Sequence, residues 1–131
     1  MRKLGIFVLF AAIIAMFTAC KSDKDIYSTP EKVMETFTVA FVTADFDVMY
    51  KTTVPHDAAL IRDMQKYMRN DPERAKKMNE LKVDVKDTEC KYTNDTLALC
   101  TCRFFCDNRD QSITFRTKKL DGKWLVDMSE D

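Results

Sequence analysis

The chain has 131 residues, with 21 basic and 21 acidic side chains and a formal net charge of zero. This balance excludes the strongly basic surface typical of nucleic-acid-binding proteins, so we expect no nucleic-acid partner. The sequence contains one histidine and no motif typical of a metal or cofactor site, so we also expect no cofactor.

The first 20 residues have the pattern of a signal peptide. Arg2 and Lys3 precede an apolar run of 16 residues, 4–19, and small side chains lead into Cys20. The segment resembles the lipobox of bacterial lipoproteins, although Phe17 stands where leucine is usual. The resemblance implies cleavage before Cys20 and lipidation of its thiol. An uncleaved membrane helix, which needs about 20 apolar residues, and an ordinary secretory signal are the alternatives.

The lipoprotein interpretation also sets the domain organisation and the location. Residues 1–20 are the signal peptide segment ending at Cys20, 21–28 a polar tether and 29–131 a single domain, because the 111 residues after Cys20 are enough for one core and too few for two. We expect a lipid anchor at the bacterial outer membrane, on its periplasmic face or at the cell surface. The membrane is then a partner through the N-terminal lipid.

Two helices are predicted first. Pro30 suits the first turn of a helix that Ser28 or Thr29 would cap. Asp45 is a second cap candidate and starts a short helix that ends before Pro55. The first helix carries an apolar stripe at helical spacing, formed by Val33, Phe37, Phe41 and Ala44.

A third helix follows and is interrupted once. Asp57 offers its cap, and Asp71 with Pro72 indicates a restart that continues to about residue 80. The predicted buried face of the third helix consists of Leu60, Met64, Tyr67 and Met68.

From residue 81 the apolar residues alternate, which is typical of strands. Residues 93–95 and 107–110 are predicted turns, and 96–106 and 111–120 are predicted strands. Asp121-Gly122 predicts a type I′ hairpin. The chain is therefore an α+β domain, with N-terminal helices packed in the concave face of a curved four-stranded antiparallel sheet.

Three stretches resemble the nuclear transport factor two-like superfamily, which has a cone-shaped α+β, cystatin-like fold. These stretches are residues 29–33 at a helix start, 44–47 at a second helix start and 121–127 at the final hairpin. Together with Cys20 they are similar to an uncharacterised family of small bacterial lipoproteins, domain of unknown function 4878. The resemblance implies a fold and an envelope location, and it transfers no catalytic residue.

Enzymes of this superfamily resemble one another in burying histidine, aspartate or tyrosine inside the cone. Here the sole histidine, His56, precedes Asp57, which is better explained as a helix cap than as a catalytic acid. We therefore expect no catalytic residue. Tyr50, Tyr67 and Trp124 are candidate pocket residues, because each combines apolar area with a polar atom, but core packing is the better explanation for each of them.

Four cysteines lie in the strand region, which is unusual for a short chain. Cys100, Cys102 and Cys106 would share one strand face with Ala98 and Phe104. A turn at Asn94 would place Cys90 opposite Leu99 or Cys100, which favours a disulfide between Cys90 and Cys100. Four buried thiols remain an alternative, and the spacing does not favour a metal site.

Three functions fit the sequence. A lipid-anchored, non-catalytic domain that binds a small ligand or docks an envelope protein is the one we expect, because no catalytic constellation is present. A structural envelope module with a filled core is the first alternative. A hydrolase or isomerase that uses the cone cavity is the second, and it would require His56, Asp57 or a tyrosine to face that cavity.

Overall fold

The computed structural model describes residues 25–129. The predicted signal peptide, Cys20 and the first part of the predicted tether lie outside these residues. Over the described range, no helix is both long and apolar enough to cross a membrane.

Two helices open the domain. The first, α1, spans Pro30–Thr43, and the hydroxyl of Thr29 caps it by accepting a hydrogen bond from the Lys32 backbone N–H. It ends because Ala44 adopts the left-handed conformation, with φ 56° and ψ 40°. The second, α2, spans Phe46–Thr52 and is capped by the Asp45 side chain, as the sequence predicts.

The remaining helical segments are a 3-10 helix at Pro55–Asp57, α3 at Ala58–Arg69 and α4 at Pro72–Asn79. Asp71 caps α4 and Pro72 occupies its first turn, as the sequence predicts.

The buried face of α3 is rotated by one residue from the predicted one, because it contains Ile61 and not Leu60. Ile61 is fully buried, whereas Leu60 is 44% exposed and Tyr67 is 64% exposed. Met64 and Met68 lie three and seven positions after Ile61, so they follow the same helical face and are half-buried. Because Leu60 and Ile61 are both apolar and adjacent, the sequence alone does not show which of them faces the core.

Four antiparallel strands form one sheet in the order β1-β2-β3-β4. The strands are Asp84–Asn94, Leu97–Cys106, Arg109–Leu120 and Lys123–Asp127. The structure confirms the predicted α+β class, with the helices packed against an antiparallel sheet. The sheet begins three residues later than the alternating pattern does, since residues 81–83 connect α4 to β1.

The last hairpin follows the prediction. Asp121 and Gly122 have φ values of 52° and 79°, and Leu120 pairs with Lys123 across the turn. Gly122 has no atom near the position that a Cβ would occupy, so its positive φ is what favours glycine there.

The turn between β2 and β3 is shorter than predicted. Asp107 and Asn108 both have positive φ, at 54° and 60°, and Arg109 already pairs with Cys106. Asp and Asn tolerate this conformation better than most residues, so two residues are enough to reverse the chain.

The core lies between α1 and the inner face of the sheet, which we define as the face that carries Cys100 and Phe115. Phe37 of α1 is fully buried and meets Phe115 edge-on, with ring centroids 5.4 Å apart. The predicted shared face of β2 is confirmed, because all five of its side chains are buried: Ala98, Cys100, Cys102, Phe104 and Cys106. The space between α1 and the sheet is therefore filled by packed side chains.

Candidate functional site

An open cleft of about 350 Å³ lies among the helices. It forms where the C-terminal end of α1 meets α2, α3 and α4, and the ring of Phe41 in its wall also packs edge-on against Phe115 of β3. Its walls are mainly two phenylalanines and four methionines: Phe41, Phe46, Met49, Met64, Met68 and Met78. We call this the helix cleft.

The helix cleft is almost wholly apolar and has one ionisable carboxyl group in its wall, that of Asp63. Tyr67 also contributes to the wall, and its side chain is largely exposed. Four thioethers make the wall unusually adaptable, because methionine has three rotatable side-chain bonds and a polarisable sulfur. A cleft of this composition suits an apolar guest with one polar or cationic end.

The three aromatic residues predicted to line a pocket do not converge. Tyr67 lines the helix cleft, whereas Tyr50 is 37% exposed and its hydroxyl donates to Gln65 Oε1 at 3.4 Å. Trp124 is only 4% exposed and lies on the sheet, where its ring meets Tyr92 edge-on at 5.7 Å. The three side chains therefore occupy separate places in the fold.

The cysteines lie on the inner face of β2 and its neighbour β1. Cys90 pairs in register with Cys100, and their sulfur atoms are joined in a disulfide. Cys102 and Cys106 are buried free thiols. They lie beside packed apolar side chains, which suits the thiol as a small apolar group.

Asp57 has a different role from the predicted one. It precedes α3, but its side chain makes no capping hydrogen bond to that helix. The carboxylate instead accepts a hydrogen bond from the Met128 backbone N–H at 2.6 Å. Burial raises the pKa of Asp57 above its usual 3.8, and the nearby charge of Asp127 acts in the same direction. The cap prediction was wrong because the sequence does not show that the chain end passes over this residue.

His56 is exposed in the 3-10 helix and lines a shallow depression of about 260 Å³ together with Lys118 and Asp127. Its ring makes no hydrogen bond or ion pair to any residue between 25 and 129. The Asp57 carboxylate, which is 1% exposed, points to the backbone of the chain end. This geometry does not assemble a general acid and a general base around a shared open space.

Within residues 25–129, no group of three or more histidine, cysteine, aspartate or glutamate side chains is placed to hold a metal ion.

The comparisons with known proteins bear on the fold. A crystal structure from Campylobacter jejuni, described as an NTF2-like (nuclear transport factor two-like) transpeptidase, matches with a TM-score of 0.57 and 20% sequence identity. The match covers 78% of this chain and 100% of the Campylobacter chain. This likeness shows that the chain has an NTF2-like fold. No protein-family model matches the sequence, and no curated protein matches it significantly.

Sequence reasoning missed the helix cleft. The signal that was present is the spacing of Met64 and Met68 on one face of α3, with Met49 and Met78 on the neighbouring helices. Such a pattern is also typical of a closed core. Only the packing of four helix ends shows that these side chains border open space.

Proposed function

We propose that this chain is a lipid-anchored protein of the bacterial envelope whose NTF2-like domain binds a small apolar ligand in the helix cleft, without chemical conversion of that ligand. The observation that carries the proposal is the helix cleft itself. Its volume of about 350 Å³ is within the range of small-molecule sites, roughly 300–1,000 Å³.

The composition of the cleft supports an apolar ligand with one donor group. Two aromatic rings and four thioethers provide contact area, and the Asp63 carboxylate can accept a hydrogen bond from an amine or hydroxyl of the ligand. A bound apolar guest would remove this surface from water, and the gain is roughly 25 cal/mol for each Å² of apolar area buried.

The non-catalytic part of the proposal is supported by the position of the titratable groups. His56 does not line the helix cleft, and Asp57 is hydrogen-bonded to the Met128 backbone. Asp63 and Tyr67 both line the cleft, but both side chains are exposed to water, and within residues 25–129 neither is hydrogen-bonded to a further acid or base that would complete a proton-transfer pair.

The lipid anchor is supported by the sequence. A basic start, a 16-residue apolar run and small residues before Cys20 are features of a lipoprotein signal peptide, and Phe17 is the one departure from the usual lipobox. Intact-mass and peptide mass spectrometry of the mature protein tests this part: we expect an N-terminal Cys20 that carries a diacylglyceryl group. An unmodified Cys20, or a mature chain that retains Met1, would contradict it.

Ligand binding is tested with N-phenyl-1-naphthylamine, a neutral apolar dye whose emission rises in apolar sites. We expect saturable binding, and Met68→Trp should weaken it at least tenfold by filling the cleft. Leu60→Trp is the matched control, since it adds the same ring to the same helix at an exposed position that does not line the cleft. Equal binding by both variants would overturn the proposal.

A structural envelope module is the second candidate, because the space between α1 and the sheet is filled. The same titration separates the two. A structural module would show no saturable binding of the dye in the wild type.

A further inference from the structure

The segment just before α1 is fixed to the domain, although the sequence assigns it to the tether. The Tyr27 carbonyl oxygen accepts a hydrogen bond from the Trp124 backbone N–H at 3.0 Å. The Tyr27 hydroxyl donates to the Lys51 carbonyl oxygen at 3.1 Å. Asp25 forms an ion pair with Lys32 at 2.7 Å. The chain therefore leaves the domain at a defined point, beside β4 and the end of α2.

This exit point lies close to Cys20 along the chain. Five peptide units separate Cys20 from Asp25, and a fully extended chain would span about 18 Å over that length. If Cys20 carries a lipid, the exit point is held within that distance of the lipid headgroups. The anchor therefore favours orientations in which the exit point faces the bilayer.

Four side chains around the exit point form what we call the anchor-proximal face: Tyr27, Lys51, Tyr92 and Lys123. The Lys123 ammonium group lies 5.1 Å from the centroid of the Tyr27 ring. Tyr92 is 55% exposed and packs edge-on against Trp124. Tyrosine is enriched at membrane–water interfaces, and lysine is attracted to anionic headgroups.

Two acidic side chains near this face have partners. Asp25 is paired with Lys32, and Glu31 accepts a hydrogen bond from the Tyr92 hydroxyl at 3.5 Å. These contacts reduce the repulsion that an anionic surface would otherwise meet there.

The helix cleft lies at the other end of α1. This helix has 14 residues, which is about 21 Å at 1.5 Å per residue. The exit point precedes its first residue, whereas the cleft is lined by Phe41 and Ala44 at its last turn.

We propose that the anchor-proximal face lies on an anionic lipid surface and that the helix cleft points away from the membrane. This inference rests on the proposed lipidation of Cys20. It follows that the cleft receives its ligand from the aqueous side or from another protein, and not directly out of the bilayer that holds the anchor.

The full lipidated chain, reconstituted in vesicles of phosphatidylcholine and phosphatidylglycerol, tests the inference. Trp124 is the sole tryptophan of the chain and lies directly behind Tyr92, so its emission reports on this face. With a nitroxide on the lipid headgroup, we expect Trp124 to be quenched at least threefold more strongly than the tryptophan of a Trp124→Phe/Tyr67→Trp variant, whose ring is at the helix cleft.

A second comparison does not depend on replacing a buried ring. Lys51→Glu with Lys123→Glu should lower the quenching of Trp124 at least twofold, while Lys66→Glu with Lys77→Glu, the same charge change on α3 and α4, should leave it unchanged. Two results would overturn the inference, provided that the protein floats with the vesicles. One is an equal effect of the two charge-reversed lysine pairs on the quenching of Trp124, and the other is equal quenching of tryptophan at positions 124 and 67. Failure to float would instead show that the anchor is absent, which would overturn the proposed lipid anchor and this inference with it, whereas ligand binding in the helix cleft is decided by the dye titration.

Discussion

Asp57 and Met128 join the helical part of the molecule to its chain end. The Asp57 carboxylate accepts a hydrogen bond from the Met128 backbone N–H at 2.6 Å, across 71 positions of sequence. Nearby, the Val54 backbone N–H donates to the Val126 carbonyl oxygen at 2.9 Å, so two contacts hold the 3-10 helix beside β4. The stability of the helical part therefore depends on the last strand.

Replacement of Asp57 by alanine should lower the free energy of unfolding by about 1–3 kcal/mol, because the part-buried N–H of Met128 loses its acceptor. Urea denaturation followed by circular dichroism measures the change. Asp63→Ala is the control, since Asp63 is exposed on α3, and it should change stability by less than about 0.5 kcal/mol. A loss no larger than that of the control would contradict this role.

The same carboxyl group predicts a pH dependence. Burial raises the pKa of Asp57 above its usual 3.8, so its contribution to stability is complete below pH 3.8 and is lost as the pH rises through the raised value. We compare the wild type with Asp57→Asn, which does not titrate. The unfolding free energy of the wild type relative to this variant should fall as the pH is raised from 3 to 7. A constant or rising difference would show that the pKa is not raised.

The disulfide between Cys90 and Cys100 closes a short loop, because the two residues have a sequence separation of 10. Its removal by replacing both residues with alanine should cost about 2–3 kcal/mol of stability, by the loop-closure argument. Thiol titration of the denatured protein, with Cys20 lipidated, should give two reactive thiols without reductant, Cys102 and Cys106, and four with it. Four thiols without reductant would exclude the bridge.

Ala44 ends α1 with φ 56° and ψ 40°, a conformation that costs a residue with a Cβ roughly 1–2 kcal/mol. Ala44→Gly should therefore stabilise the domain, by about 0.5–1 kcal/mol after the entropy of glycine in the unfolded chain is deducted. Ala59→Gly, in the first turn of α3 where φ is not positive, is the control and should not stabilise the domain. Thermal unfolding measures both, and a lower melting temperature for Ala44→Gly would contradict the prediction.

Local chemistry explains which parts of the fold could be predicted. Thr29, Asp45 and Asp71 cap helices through their own side chains, and Asp121-Gly122 forms the turn that its backbone preferences favour. Each of these features depends on a few neighbouring residues. The buried face of β2 also follows from simple alternation in the sequence.

Long-range packing explains what could not be predicted. The partner of Asp57 lies 71 positions away, and the rotation of α3 is decided by where Ile61 meets the core. The helix cleft depends on the space that four helices leave between their ends. Apolar residues recur at the same helical spacing whether they fill a core or line an open cleft, so the sequence pattern does not distinguish the two. Sequence therefore predicted the frame of the domain more completely than its candidate site.

Methionine-methyl NMR tests the central claim most directly, because the side chains that line the helix cleft carry their own probes. On titration with N-phenyl-1-naphthylamine, we expect the methyl signals of Met49, Met64, Met68 and Met78 to shift with one common dissociation constant. Met34, which is buried in the core, and Met128 should not shift. Unchanged signals from the four cleft methionines, or equal shifts at Met34 and Met128, would contradict a ligand site among the helices.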